Sequence, residues 1–137
     1  MKMLVIGSNI LTSALIKDSL TRNLIKNMRL PLLFPEYGLS EVYLCKQEIL
    51  KKSHMNGREF NVILLRLMKY IRLIPSGIIL DFICEADKII GKIDKDDSVF
   101  IATALAFNCS IWSDDKHLKK QDKVRVFTTK EMAKMQM

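Results

Sequence analysis

The feature that most constrains this chain is a set of five short apolar runs, "MLVI" (3–6), "LPLLF" (30–34), "IRLIP" (71–75), "CSIWS" (109–113) and "VRVFT" (124–128), set apart by stretches with helical patterning. Such runs read as strands buried on both faces. Strands that alternate with helices are what parallel βαβ units require, because a parallel neighbour is reached only by a crossover. The pattern predicts a three-layer α/β/α domain formed by residues 1–137 as a single unit.

The intervening segments carry helix signals of their own. Ser8 or Asn9 can cap a helix running to about Lys17, and Asp18 a second one over "SLTRNLIKNM". Pro31 stands near the start of the second strand and Pro35 closes it. A helix is expected from about Glu36 to Lys52, with Leu39, Val42, Tyr43, Ile49 and Leu50 as its apolar face. Gly57 precedes the helix "REFNVILLRLMKY", whose large apolar residues exceed what one core face needs. Further helices are expected over 77–90, 94–107 and Asp115–Gln121, and a terminal one capped by Thr129.

A length of 137 residues suffices for one core without metal or disulfide staples. Cys45, Cys84 and Cys109 have apolar neighbours and no Cys-x-x-Cys spacing, which predicts buried, reduced thiols. No apolar stretch has the length of a membrane span, since "NVILLRLM" is interrupted by Arg66. The expectation is a soluble, cytoplasmic protein with no membrane partner. The net charge of +7 suits a polyanion, although spaced lysines also solvate helix faces in proteins that bind none.

The acidic residues are clustered. Asp94, Asp96 and Asp97 open one predicted helix, and Asp114 and Asp115 follow the strand "CSIWS". An acidic first turn complements the positive end of the helix dipole, and Ser113 or Asp114 can simply cap a surface helix. A second reading is open: the end of a parallel strand is where α/β proteins place their chemistry. The sequence does not show which strand feeds the helix of Asp97, so it does not by itself bring Asp97 to Asp115.

The stretches "VIGSNILTSALI", "LSEVYL", "DKDDSVFIATAL" and "CSIWSDDKHL" together resemble, in order and spacing, the motifs of PIN-domain nucleases of the small archaeal, VapC-like kind. The resemblance covers nearly the whole chain. It implies a twisted, mainly parallel sheet of about five strands whose carboxylates converge at one edge on Mg²⁺ or Mn²⁺. It also implies cleavage of RNA, a toxin–antitoxin context with an antitoxin as partner, and a homodimer. Placed on the motifs, the catalytic and metal-binding acids are Glu41, Asp97 and Asp115, with Asp114 as a substitute ligand. Ser8, Asn9 and Ser113 are bracing residues. Glu36 is the nearest alternative to Glu41, and His117, where relatives often carry a further acid, reads as a solvated surface residue.

The first acid of the pattern is missing, because its position is Gly7. Phosphodiester hydrolysis needs an activated water and neutralised negative charge, which a hard divalent ion in a carboxylate cage supplies. Carboxylates held close together repel and raise one another's pKa until a cation relieves them. Losing one is expected to weaken metal binding and cleavage while sparing the sheet. Three explanations stand open: a natural non-cleaving member, compensation by Asp94 or Asp96, or a one-base change in the recovered gene. The expected function is therefore a metal-dependent endoribonuclease weakened at Gly7. The alternative is an inactive RNA-binding or protein-interaction module of the same fold. A phospho-receiver domain fits poorly, since it needs acids where Gly7 and Ser8 stand.

Overall fold

The computed structural model describes residues 2–16 and 20–136, so the expected helix end at Lys17 and the expected cap at Asp18 lie outside the described residues. In chain order the elements are β1 (Leu4–Ile6), α1 (Ser8–Ile16), α2 (Leu20–Asn27), β2 (Leu32–Pro35), α3 (Gly38–Leu44), α4 (Lys46–Ser53) and α5 (Gly57–Met68). There follow β3 (Ile71–Ile74), α6 (Ser76–Ile79), α7 (Ile83–Ile90), α8 (Ser98–Phe107), β4 (Ser110–Trp112), β5 (Val126–Phe127) and α9 (Thr129–Gln136). All five expected strands form, and they pair in parallel in the order β3-β2-β1-β4-β5.

β1 is the central strand, with Leu4 opposite both Leu32 and Ser110, and Val5 opposite Leu33 and Ile111. Every residue of β1 and β2 is buried, as a strand with helices on both faces must be. α8 lies against β1, β2 and β4 with α7 beside it, whereas α1 packs on α2, α3, α4 and α5. The edge strand β3 buries Ile71 and Ile74 and exposes Arg72 and Leu73. Trp112, fully buried, belongs to the core as expected.

Several expectations are corrected. The single helix over Glu36–Lys52 is broken at Cys45 (φ −90°, ψ 3°), whose N–H is shared between the carbonyls of Glu41 and Val42. Only Val42 and Ile49 of its apolar face are buried, while Tyr43 and Leu44 are exposed, so no continuous stripe holds a straight helix there. The helix over 77–90 is interrupted by a 3-10 turn at Leu80–Phe82, and that over Asp115–Gln121 shrinks to one 3-10 turn, Leu118–Lys120. α9 is capped by Thr128, not Thr129. The Thr128 hydroxyl oxygen accepts from the Glu131 N–H at 3.2 Å, and Glu131 accepts from the Thr128 N–H at 3.0 Å. This reciprocal pairing needs the acid three positions after the cap, and Thr128 has that spacing. The thiols of Cys45 and Cys84 are exposed and that of Cys109 is half-buried, all three free.

No helix among the described residues is long and apolar enough to cross a membrane.

Candidate metal centre

The strand order reverses at β1, which has β2 on one side and β4 on the other. In open parallel sheets the crevice for ligands opens at the carboxyl ends of such a pair. Here those ends are Gly7, whose N–H donates to the Trp112 carbonyl at 2.9 Å, and Ser113–Asp115. α8 leads directly into β4, so it runs back from the same edge and presents its N-terminus there. The question the sequence leaves open is thus answered by topology: α7 and α8 cross from β3 over the sheet and deliver Asp97 to the end of β4.

A cavity of about 120 Å³ occupies this crevice, lined by Gly7, Ser8, Asn9, Glu41, Asp97, Phe100, Ser113 and Asp115. That is room for roughly four waters or a partly hydrated ion. A wider hollow of about 510 Å³ lies at the opposite ends of the strands, between Lys2, Cys109, Arg125 and Phe127, and no carboxylate lines it among the described residues.

Each wall follows from local structure. Gly38 opens α3 in contact with Phe34, where a Cβ would stand 2.7 Å from the Phe34 ring, and this close approach sets Glu41 over the crevice one turn later. Asp97 ends a 3-10 turn, Lys95–Asp97, for which Asp94 provides the cap by accepting from the Asp96 N–H at 3.1 Å. The Ser113 hydroxyl accepts from the Asp115 N–H at 3.0 Å and donates to the Asn9 side-chain carbonyl at 3.4 Å. Asn9 and Ser113 thereby hold Asp115 in place from two elements.

The expected Glu41, Asp97 and Asp115 line one cavity together with Ser8, Asn9 and Ser113. Asp114 does not line it. Strand alternation turns Asp114 the other way, where its two oxygens accept from the Thr129 N–H at 2.7 Å and the Thr129 hydroxyl at 2.6 Å. The same hydroxyl accepts from the Trp112 indole N–H at 3.0 Å. Glu36, the alternative to Glu41, accepts from the Ser76 N–H at 2.9 Å and ties β2 to β3.

The electrostatics suit a cation. Asp97 is 8 % exposed, and burial, then the charges of Asp115 and Asp94, push its carboxyl up to about 8. Burial also raises Glu41, against the opposing pull of the Ser8 hydroxyl. Glu41 Oε1 and Asp97 Oδ2 are buried with no hydrogen-bond partner among the described residues. A buried, unpaired carboxylate oxygen is costly, and a divalent ion with some of its water is what this donor set fits.

Two residues beside the cavity extend the expected set: Asp94, considered in the sequence only as compensation for Gly7, and His117, read there as a surface residue. His117 places Nδ1 at 3.0 Å from Asp94 Oδ2 and 3.9 Å from Asp115 Oδ1, and one donor atom from each of Asp94, Asp97, Asp115 and His117 falls within 4.8 Å of the others. The legible signal was the Asp-Lys-His spacing: the Asp115 carboxylate accepts from the His117 N–H at 2.9 Å, a turn that folds the imidazole back over it. Asp96, the other candidate for compensation, is exposed and outside this group.

A family model described as PIN domain matches residues 5–136. Among solved structures, the chain is similar to VapBC2 from Rickettsia felis bound to a DNA fragment from their promoter, with a TM-score of 0.69 and 16 % identity over 92 % of this chain and 98 % of that one. It is similar to FitAcB from Neisseria gonorrhoeae, with a TM-score of 0.67 and 16 % identity over 93 % and 98 %. It is also similar to PAE2754 from Pyrobaculum aerophilum, with a TM-score of 0.68 and 9 % identity over 98 % and 90 %. No curated protein matches the sequence.

Proposed function

The chain belongs to the PIN domain family, and from that premise we propose that it is a metal-dependent endoribonuclease, acting in the cytoplasm as the toxin of a toxin–antitoxin pair, with cleavage slowed by Gly7. The observation that carries this reading is the pair of buried, unpartnered oxygens on Glu41 and Asp97, facing one cavity with Asp115 at the sheet's switch point. Glu41, Asp97 and Asp115 are the residues that would hold Mg²⁺ or Mn²⁺. When bound, the ion supplies Lewis-acid activation of water and charge neutralisation at the phosphate.

The remaining work falls to the chain. Asn9 and Ser113 keep Asp115 from swinging out of the crevice. Glu41, its carboxyl raised by burial, faces the cavity beside Ser8 and Asp97. Lys116, Lys120 and Lys123, exposed just beyond Asp115, are placed to meet backbone phosphates, whereas Lys119 is held by Glu131 at 2.6 Å.

The antitoxin reading draws on VapBC2, the structural neighbour that is bound to promoter DNA. It also draws on α5, which exposes Val62 and Leu65, the latter 69 % accessible, on the helix expected to carry surplus apolar surface. That face is proposed to be buried by an antitoxin segment or in a homodimer.

One observation favours the second reading, a non-cleaving RNA-binding or protein-interaction module. The crevice has closed over residue 7: a Cβ there would stand 3.0 Å from Ser113 Oγ and 3.1 Å from Asn9 Oδ1. Cleavage of single-stranded RNA decides between the two. Slow cleavage in Mn²⁺, abolished by EDTA and by Asp97→Asn, is expected. Gly7→Asp is expected to accelerate it by about tenfold or more, ~1.4 kcal/mol off the barrier, once the Ser113 hydroxyl gives by a few tenths of an ångström. RNA binding without cleavage in either form would establish the module instead.

A further inference from the structure

We infer that the cation of this chain is held by Asp94, Asp97, Asp115 and His117, one nitrogen and three oxygens, and that the site accordingly favours a transition-metal divalent ion over Mg²⁺. This rests on the metal-dependent reading above and changes which residues carry it.

The donor geometry is the first ground. An octahedral shell with bonds of about 2.1 Å places its ligands about 3 Å apart when adjacent and about 4.2 Å when opposite. Four donors within 4.8 Å of one another need only small rotations to meet those values. Asp97 gives the second ground. It is more than nine-tenths buried, and its Oδ2 has no hydrogen-bond partner, so the cluster contains an acceptor that none of the described residues satisfies. An acidic surface patch has no such feature.

The third ground is the state of residue 7. Residue 7 itself brings no carboxylate to the crevice, and the Ser113–Asn9 contact fills the space a side chain there would take. Glu41 stands beside Ser8, whereas Asp94 and Asp115 both bear on Asp97. His117 Nδ1 already faces two of these carboxylates. Taking up an ion requires that nitrogen to present its lone pair, with the ring proton on Nε2.

Imidazole is a borderline ligand that discriminates in favour of transition metals. Mg²⁺ is hard, gives up water reluctantly and gains little from a nitrogen donor. Mn²⁺ is the convenient probe because its bound state is visible by electron paramagnetic resonance. The chain has one other histidine, His54, at the C-terminal end of α4. A coordinated imidazole signal that depends on residue 117 is therefore assignable.

The test is pulsed electron paramagnetic resonance and calorimetry on the full chain, with Mn²⁺ and Mg²⁺ as the ligands. Bound Mn²⁺ should show ¹⁴N coupling that vanishes in His117→Gln. The same change should weaken Mn²⁺ about tenfold while altering Mg²⁺ affinity by less than about twofold. Asp94→Asn should weaken both ions. His117→Asp, which keeps a donor, should retain binding, lose the ¹⁴N coupling and shift the preference towards Mg²⁺; circular dichroism checks that each variant is folded. Mn²⁺ bound without ¹⁴N coupling, and lost in Asp97→Asn but not in His117→Gln, would overturn this assignment and leave the proposed nuclease site standing. Mn²⁺ binding indifferent to Asp97→Asn as well would remove both.

Discussion

Asp97 is the residue on which the account turns, because its environment disfavours the charged form. With its carboxyl at about 8 against an ordinary value of 3.8, the folded chain keeps a proton that the unfolded chain releases across that window. Stability therefore falls as pH rises from about 4 to about 8, since the unfolded state binds fewer protons there. Glu41, raised in the same sense, adds to the slope. In EDTA, the melting temperature should drop between pH 5 and pH 8, and Asp97→Asn should flatten that drop. Mn²⁺ should raise the melting temperature at pH 8 far more than at pH 5. A metal-free melting temperature that rises over this interval would count against the buried carboxylate cluster.

At the scale of elements, β4 and the segment after it split two adjacent acids between two duties. Asp115 faces the crevice, and Asp114 clamps Thr129 at the start of α9, beside the indole of Trp112. Asp114→Ala should cost about 1 kcal/mol of stability yet leave Mn²⁺ affinity within about twofold. Thr128→Ala, which removes the α9 cap, should likewise cost about 1 kcal/mol, read as the shift of the urea unfolding midpoint. Lys119 and then Thr128 hold the Glu131 carboxyl at about 2, so this cap stays charged throughout the pH window in which Asp97 titrates. The strands were legible because an uninterrupted apolar run of four or five residues has few other uses. The break at Cys45 was not, because Val42 and Ile49 have the spacing of one helix face, while between them Tyr43 stays half-exposed beside the Phe60 ring and Leu44 is exposed. Thr128 and Thr129 are adjacent and chemically alike, and only the distance to Glu131 separates their roles.

For the whole molecule, the decisive property is strand order, and a sequence does not write strand order down. "SDDKHL" and "DKDDSV" each have an ordinary local explanation as helix starts, and the resemblance supplied their partnership before any geometry did. The observed order β3-β2-β1-β4-β5 puts β1 and β4 side by side and closes the crevice with α3 and α8. His117 stayed hidden for the same reason: its meaning comes from Asp94, 23 residues earlier and on another element. The net charge of +7 belongs to this scale too. Single-stranded RNA bound in EDTA should weaken with salt, with a log–log slope of about −2 to −3 if three or four phosphates are met. A flat salt profile would remove the basic surface from the account.

The most direct measurement is anomalous diffraction from a crystal of this chain soaked in Mn²⁺, collected at the manganese edge. One strong peak within bonding distance of both Asp97 and Asp115 is expected. A fully occupied Mn²⁺ elsewhere on the molecule, with no density between those two carboxylates, would contradict it.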